Sequence, residues 1–116
     1  MHRYKDLEIW KLSRKFCVSI YEQTSNFPES EKFVLVSQLR RASVSVPSNI
    51  SEGCSRNSNK DFSRFLEIAI GSCYEIETQL LIATDLDLIN KETSITLLNE
   101  LNKIIQMTSK FKSTLK

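Results

Sequence analysis

A chain of 116 residues with 41% hydrophobic and 26% charged side chains is long enough for one domain around one core and too apolar to remain disordered. Only 2 Gly and 2 Pro interrupt it, too few for a turn-rich β fold, and no apolar run approaches the roughly twenty residues of a membrane span. The formal net charge of +2 hides an uneven layout: acids gather between Glu67 and Glu100, and lysines without acids from Lys103 onward.

The opening Met1-His2-Arg3-Tyr4-Lys5-Asp6 lacks the apolar region of a signal peptide. A first helix is predicted over residues 6–24, with Asp6 as its N-cap. Leu7, Trp10, Cys17, Ile20 and Tyr21 form its seam, widened by Ile9, Leu12 and Phe16. Asn26-Phe27-Pro28 breaks the pattern, because a residue before proline avoids the helical region, and Phe27 is expected to plug the end of the bundle. A second helix is predicted over 30–54, capped by Ser30. Leu35, Leu39, Ala42, Val46, Ile50 and Gly53 make its apolar seam, Pro47 kinks it, and Gly53 stands at or near its stop.

Ser58 and Asp61 resemble a capping box at the start of a third helix, predicted over 59–86. Its seam runs Phe62, Leu66, Ala69, Cys73, Ile76, Leu80 and Ala83. Ile68, Ile70, Tyr74, Leu81 and Ile82 are apolar residues left over. Such a surplus fits either an oligomer surface, with Ile70, Tyr74 and Leu81 as candidates, or a central position in the bundle. Asn90 caps a fourth helix over 91–115, with Ile95, Leu98, Leu101, Ile105, Thr108, Phe111 and Leu115 at heptad-like spacing. The expected fold is all-α, an antiparallel up-down-up-down four-helix bundle in one domain over 1–116.

That connectivity sorts the charges. The start of helix 1, the loop between helices 2 and 3 and the end of helix 4 share one pole. It collects Arg3, Lys5, Lys11, Arg56, Lys60, Arg64, Lys110, Lys112 and Lys116 against Asp6, Glu8, Glu52 and Asp61. The other pole collects Glu22, Glu29, Glu31, Glu75, Glu77, Asp85, Asp87 and Glu92 against Lys32 and Lys91.

Little in the chain suggests catalysis. The one histidine, His2, sits at the terminus, and Cys17, Cys54 and Cys73 lack ligand spacing. Their odd number without a C-x-x-C pair points to reduced thiols and a cytoplasmic protein. Asp85-x-Asp87 reads as a helix end rather than a metal site, and no glycine loop cradles a phosphate. The expectation is a non-enzyme with no cofactor and no metal.

A polar line on helix 2, Gln38, Arg41, Ser45, Asn49 and Glu52, runs beside its seam. It reads either as a recognition face or, preferred here, as a structural polar network completed by Glu75 and Gln79 of helix 3. In that network Arg41 would need Glu52, Glu75 or Glu77 as a carboxylate partner. The basic pole is the stronger functional signal, since clustered Lys and Arg bind phosphate backbones through counterion release.

Several stretches carry a resemblance. They are Tyr4-Lys5-Asp6-Leu7-Glu8-Ile9-Trp10, Phe27-Pro28, Ser37-Gln38-Leu39-Arg40-Arg41-Ala42, and Pro47-Ser48-Asn49-Ile50-Ser51-Glu52-Gly53. Phe65-Leu66-Glu67-Ile68-Ala69-Ile70-Gly71-Ser72 and Glu75-Ile76-Glu77-Thr78-Gln79-Leu80 complete the set. Together they resemble the bacterial four-helix-bundle family of 23S rRNA intervening-sequence proteins, also called S23 ribosomal protein, and the accessory variability proteins of diversity-generating retroelements. The resemblance implies a ring-shaped homo-oligomer, a pentamer, with RNA or DNA and a reverse transcriptase as expected partners. Ser51 and Cys54 depart from the family pattern, where Ala and a larger apolar residue are usual. Two functions follow as expectations: a nucleic-acid-binding accessory protein acting through its basic pole, or a scaffold that docks a protein partner.

Overall fold

Four amphipathic segments form α1 (Glu8–Thr24), α2 (Ser37–Cys54), α3 (Asn59–Asp85) and α4 (Lys91–Ser113) in a computed structural model that describes residues 2–115. Met1 and Lys116, the ends of the expected domain, lie outside the described residues, and so does the place of Lys116 in the basic pole. Each helix packs on the next in sequence and α4 closes back on α1, giving an all-α four-helix bundle about 43 Å long. Side-chain bonds fix the antiparallel order. Arg40 of α2 reaches Thr24 at the end of α1, Ser45 meets Ser72 of α3, and Lys112 of α4 pairs with Glu67 of α3.

The predicted seams of α2 and α3 are buried at every position. Those of α1 and α4 hold only in part: Ile20 on α1 and Leu101, Ile105 and Thr108 on α4 are buried, as are Ile9 and Phe16 of the widened α1 set. On α1 the core stripe is Ile9, Ser13, Phe16, Ile20 and Thr24, whereas Tyr21 is exposed. On α4 it is Ser94, Leu97, Leu101, Ile104 and Thr108, with Ile95 exposed and Ile105 buried beside the stripe. Hydroxyls occupy core positions on both helices, so a search for apolar spacing alone selects the flank of the stripe.

The helix ends are corrected at two points. Asp6 lies in a 3₁₀ turn (Tyr4–Asp6), and Leu7 is the N-cap of α1, without a side-chain cap bond. Ser30 does not cap helix 2. It falls inside a second 3₁₀ turn (Glu29–Glu31), followed by a π-helical turn (Lys32–Val36) that feeds α2. The wider turn brings both Leu35 and Val36 into the core and leaves Phe33 85% exposed. Gly53 stands next to last in α2, near its stop as expected, with no positive φ. A Cβ there would stand 2.7 Å from Phe62 Cδ1 and 3.0 Å from Phe65 Cβ, so its role is to let α2 and α3 approach.

The other predicted ends hold. Ser58 Oγ accepts the Asp61 amide at 3.1 Å, and Asn90 Oδ1 accepts the Thr93 amide at 2.8 Å. Asp87, with φ of 57°, takes the left-handed position that ends α3. The Leu88 amide then returns to the Ala83 carbonyl at 2.9 Å. The backbone stays helical on both sides of Pro47, whose ring replaces the amide that would have reached the Ser43 carbonyl. Phe27 is buried over the bundle end, as expected of a plug.

Candidate nucleic-acid interface

Three chain segments build the basic pole: the 3₁₀ turn before α1, the short turn between α2 and α3, and the last turns of α4. Rings hold them together. The His2 imidazole lies edge-on to Phe62 at 5.7 Å and to Phe111 at 5.2 Å, and those two phenyl rings meet each other at 5.7 Å. His2 is thus part of an aromatic cluster that closes the pole. Tyr4 packs edge-on to Trp10 at 5.1 Å, which anchors the turn carrying Arg3 and Lys5.

The cations differ in how they are held. Arg3 pairs with Asp6 at 3.7 Å, Arg56 with Glu52 at 3.0 Å, Arg64 with Asp61 at 3.9 Å and Lys112 with Glu67 at 3.1 Å. Lys5, Lys11, Lys60 and Lys110 are exposed and have no ion pair among the described residues. All eight side chains are on the bundle surface toward the pole, though Lys11 and Lys110 sit a turn or more from its tip. Between Arg3 and Lys5 on one side and Ser51 and Ser55 on the other runs an open cleft of about 420 Å³. Its lining combines the rings of His2 and Tyr4 and the Cys54 thiol with the two cations and two hydroxyls, and is more apolar than polar.

Cysteine nucleophiles find no support there. Cys54 is buried at the floor of that cleft, and burial pushes its thiol up from the ordinary value. Cys73 lies in the core, and burial pushes its thiol up to about 12. A thiol with a raised pKa is a poor nucleophile.

The polar line on α2 divides into parts within one chain. Ser45 Oγ meets Ser72 Oγ at 2.8 Å, and Asn49 Nδ2 donates to Ser45 Oγ at 2.9 Å, so this short bridge joins α2 to α3. Glu52 turns to Arg56 instead. Gln79 Nε2 donates to Glu75 Oε2 at 3.3 Å along α3 itself. Gln38 and Arg41 are exposed without a hydrogen bond or ion pair among the described residues. Arg41 therefore does not meet Glu52, Glu75 or Glu77 inside one chain. Gln79 Oε1 is buried with no partner among the described residues, beside the same α2–α3 seam.

The apolar surplus of α3 is not absorbed by a central position. Tyr74 and Leu81 are exposed and Ile70 half-buried on the flank toward α4. Ile68 and Ile82 are exposed on the flank toward α2. Sequence reasoning missed Phe33 and Val34, which the π-helical turn exposes, and Leu86 just past α3. It also missed Phe65, which is buried under Arg56 and Arg64 at 4.6 Å and 4.9 Å from its ring centre. Cations placed close to an aromatic in sequence were the available signal for that contact.

Fold and pole together define a four-helix bundle with a cation-rich end, lacking any group of three or more His, Cys, Asp or Glu among the described residues that could hold a metal. No helix among them is long and apolar enough to cross a membrane. The model of the 23S rRNA-intervening sequence protein family matches residues 5–110, and the chain belongs to that family. It is also similar to the crystal structure of a protein with unknown function from the S23 ribosomal protein family of Bacteroides thetaiotaomicron VPI-5482. The two share 26% identity and a TM-score of 0.81, over 90% of this chain and 97% of that one. No curated protein matches the chain.

Proposed function

We propose that the protein is a non-enzymatic accessory factor that binds nucleic acid, RNA in the first place, through the basic pole of a ring-shaped homo-oligomer. The observation that carries this reading is the set of Lys5, Lys11, Lys60 and Lys110, exposed and without an ion pair among the described residues, beside Arg3, Arg56, Arg64 and Lys112. Phosphate contacts by such groups release counterions and need no base readout. The family name, which ties its members to intervening sequences of 23S rRNA, supports RNA as the partner class. Filter binding of a 23S rRNA fragment across a salt series tests it. Affinity should fall steeply with salt, and an absence of binding at low salt sinks the reading.

Assembly would multiply a modest patch around an axis. The apolar flank with Ile70, Tyr74 and Leu81 supports self-association, with a pentamer as the expected ring. A monomer by light scattering at micromolar concentration removes the ring from this reading.

A second reading rests on the opposite pole. Phe33 and Val34 stand exposed on the π-helical turn, and Leu86 is exposed where α3 ends. Apolar side chains set among Glu29, Glu31, Asp85 and Asp87 suit a protein partner with a basic, apolar face, such as a reverse transcriptase. A pull-down that survives nuclease treatment favours docking; one lost on nuclease treatment favours nucleic acid.

A further inference from the structure

We propose that Arg56 and Arg64, braced on the ring of Phe65, form a clamp for neighbouring phosphates of one nucleic-acid strand, and that this clamp rather than the lysines of the pole anchors the backbone. The proposal rests on the nucleic-acid reading of the basic pole and specifies where the strand is gripped.

Phe65 is a fixed platform. It is buried, and its Cβ packs where a side chain at position 53 would otherwise stand, so the Gly53 notch sets its position. Two elements deliver guanidiniums to this one ring: Arg56 from the turn after α2 and Arg64 from the second turn of α3. Their Cζ atoms lie 4.6 Å and 4.9 Å from the ring centre, within the range where the electron-rich face attracts a cation. The arrangement brings two guanidiniums, each beside its own carboxylate, to the same ring.

Geometry separates these arginines from the lysines. A guanidinium presents five N–H donors in a plane that matches phosphate oxygens two at a time. One N–H of Arg56, on Nη2, is taken by Glu52 at 3.0 Å, and the other donors make no hydrogen bond among the described residues. Arg64 Nε lies 3.9 Å from Asp61, too far for a hydrogen bond. Both heads are thus held in place while most of their donors stay free. Lys60 and Lys110 carry the same charge on flexible stems with no ring contact or ion pair among the described residues, so binding must also order them. Glu52 acts as a placeholder, occupying the donor that a phosphate would take.

The test is fluorescence anisotropy of a labelled single-stranded RNA with the full chain over a salt series. The set comprises the parent, Arg56→Ala/Arg64→Ala, Arg56→Lys/Arg64→Lys, Lys60→Ala/Lys110→Ala and Glu52→Gln, with thermal melts confirming that each is folded. Each phosphate contact on a single strand contributes about 0.7 to the slope of log K against log salt. The double alanine variant is expected to lower the slope by about 1.4 and to weaken binding by at least tenfold. The double lysine variant should recover the slope but only part of the affinity. Glu52→Gln should bind more tightly than the parent, and that gain should vanish when it is combined with Arg56→Ala, which the mere loss of a negative charge from the pole would not give. The clamp is overturned, with the pole's reading intact, if the parent binds and the lysine pair costs as much as the arginine pair. The same holds if Glu52→Gln weakens binding. A parent that fails to bind at low salt overturns clamp and reading together.

Discussion

The α2–α3 contact and the α1–α4 contact solve the same packing problem in opposite ways. Along α2 and α3 the central stripes are wholly apolar or Gly, hydroxyls stand at their edges, and Ser45, Ser72 and Asn49 satisfy one another there. Gly53 lets the two backbones close over Phe62 and Phe65. Along α1 and α4 the hydroxyls lie within the stripe, at Ser13, Thr24, Ser94 and Thr108. Thr24 donates to the Ile20 carbonyl at 2.7 Å, and Thr84 of α3 donates to Ser94 at 2.7 Å, but Thr108 Oγ1 is buried without a partner among the described residues. A cleft of about 180 Å³, floored by Leu12, Phe16 and Ile104 and rimmed by Lys15, Lys103 and Glu100, opens between these two helices. The edge hydroxyls of α2 and α3 pair with each other across their contact, whereas Thr24 and Ser94 within the α1 and α4 stripes find partners on the other two helices, Arg40 of α2 and Thr84 of α3.

The comparison breaks most readily at the tight contact. Leu66→Ala, at a fully buried position of α3, is expected to destabilise by about 3 kcal/mol in urea unfolding. The half-buried Leu12→Ala at the α1–α4 cleft should cost clearly less, and equal losses would mean that the two contacts are packed alike. Next in size is Gly53→Ala. Its new methyl must displace the Phe62 ring, an overpacking cost of about 2 kcal/mol, read as a drop in the thermal midpoint. An unchanged midpoint would show that α2 and α3 can separate there freely.

Thr108→Val works in the other direction. It keeps the shape and removes an unpaired buried hydroxyl, so a gain of about 1 kcal/mol is expected by the same unfolding assay. A loss would mean that the hydroxyl has a partner in solution, such as a buried water. The smallest effect is expected at the end of α3, where Asp87→Gly relieves a left-handed Asp and gains a few tenths of a kcal/mol.

The same contrast explains which parts could be read from residues alone. Every seam position of α2 and α3 could be named because nothing polar interrupts the three-and-four spacing from Leu35 to Gly53 or from Phe62 to Ala83. On α1 and α4 the expected seams missed the core hydroxyls Ser13, Thr24 and Ser94, though they did name Ile20, Leu101, Ile105 and Thr108. At the basic pole, the grouping of Arg3, Lys5, Arg56, Lys60, Arg64 and Lys112 followed from counting helices. The ring of Phe65 beneath two arginines did not, because Phe65 lies off the seam that spacing selects. Arg41 was matched to carboxylates on the premise that it is buried; it is exposed.

Apolar periodicity, caps and charge order along the chain determined by themselves that this protein has four helices, their order and two poles of opposite charge. These are local properties, set by a few residues within one or two turns. Only the tertiary structure decided that Gly53 is a notch for Phe62 and Phe65, that helix 2 enters through a π-helical turn, and which hydroxyls find partners. Each of those depends on the distance between atoms far apart in sequence, which packing density fixes and composition does not.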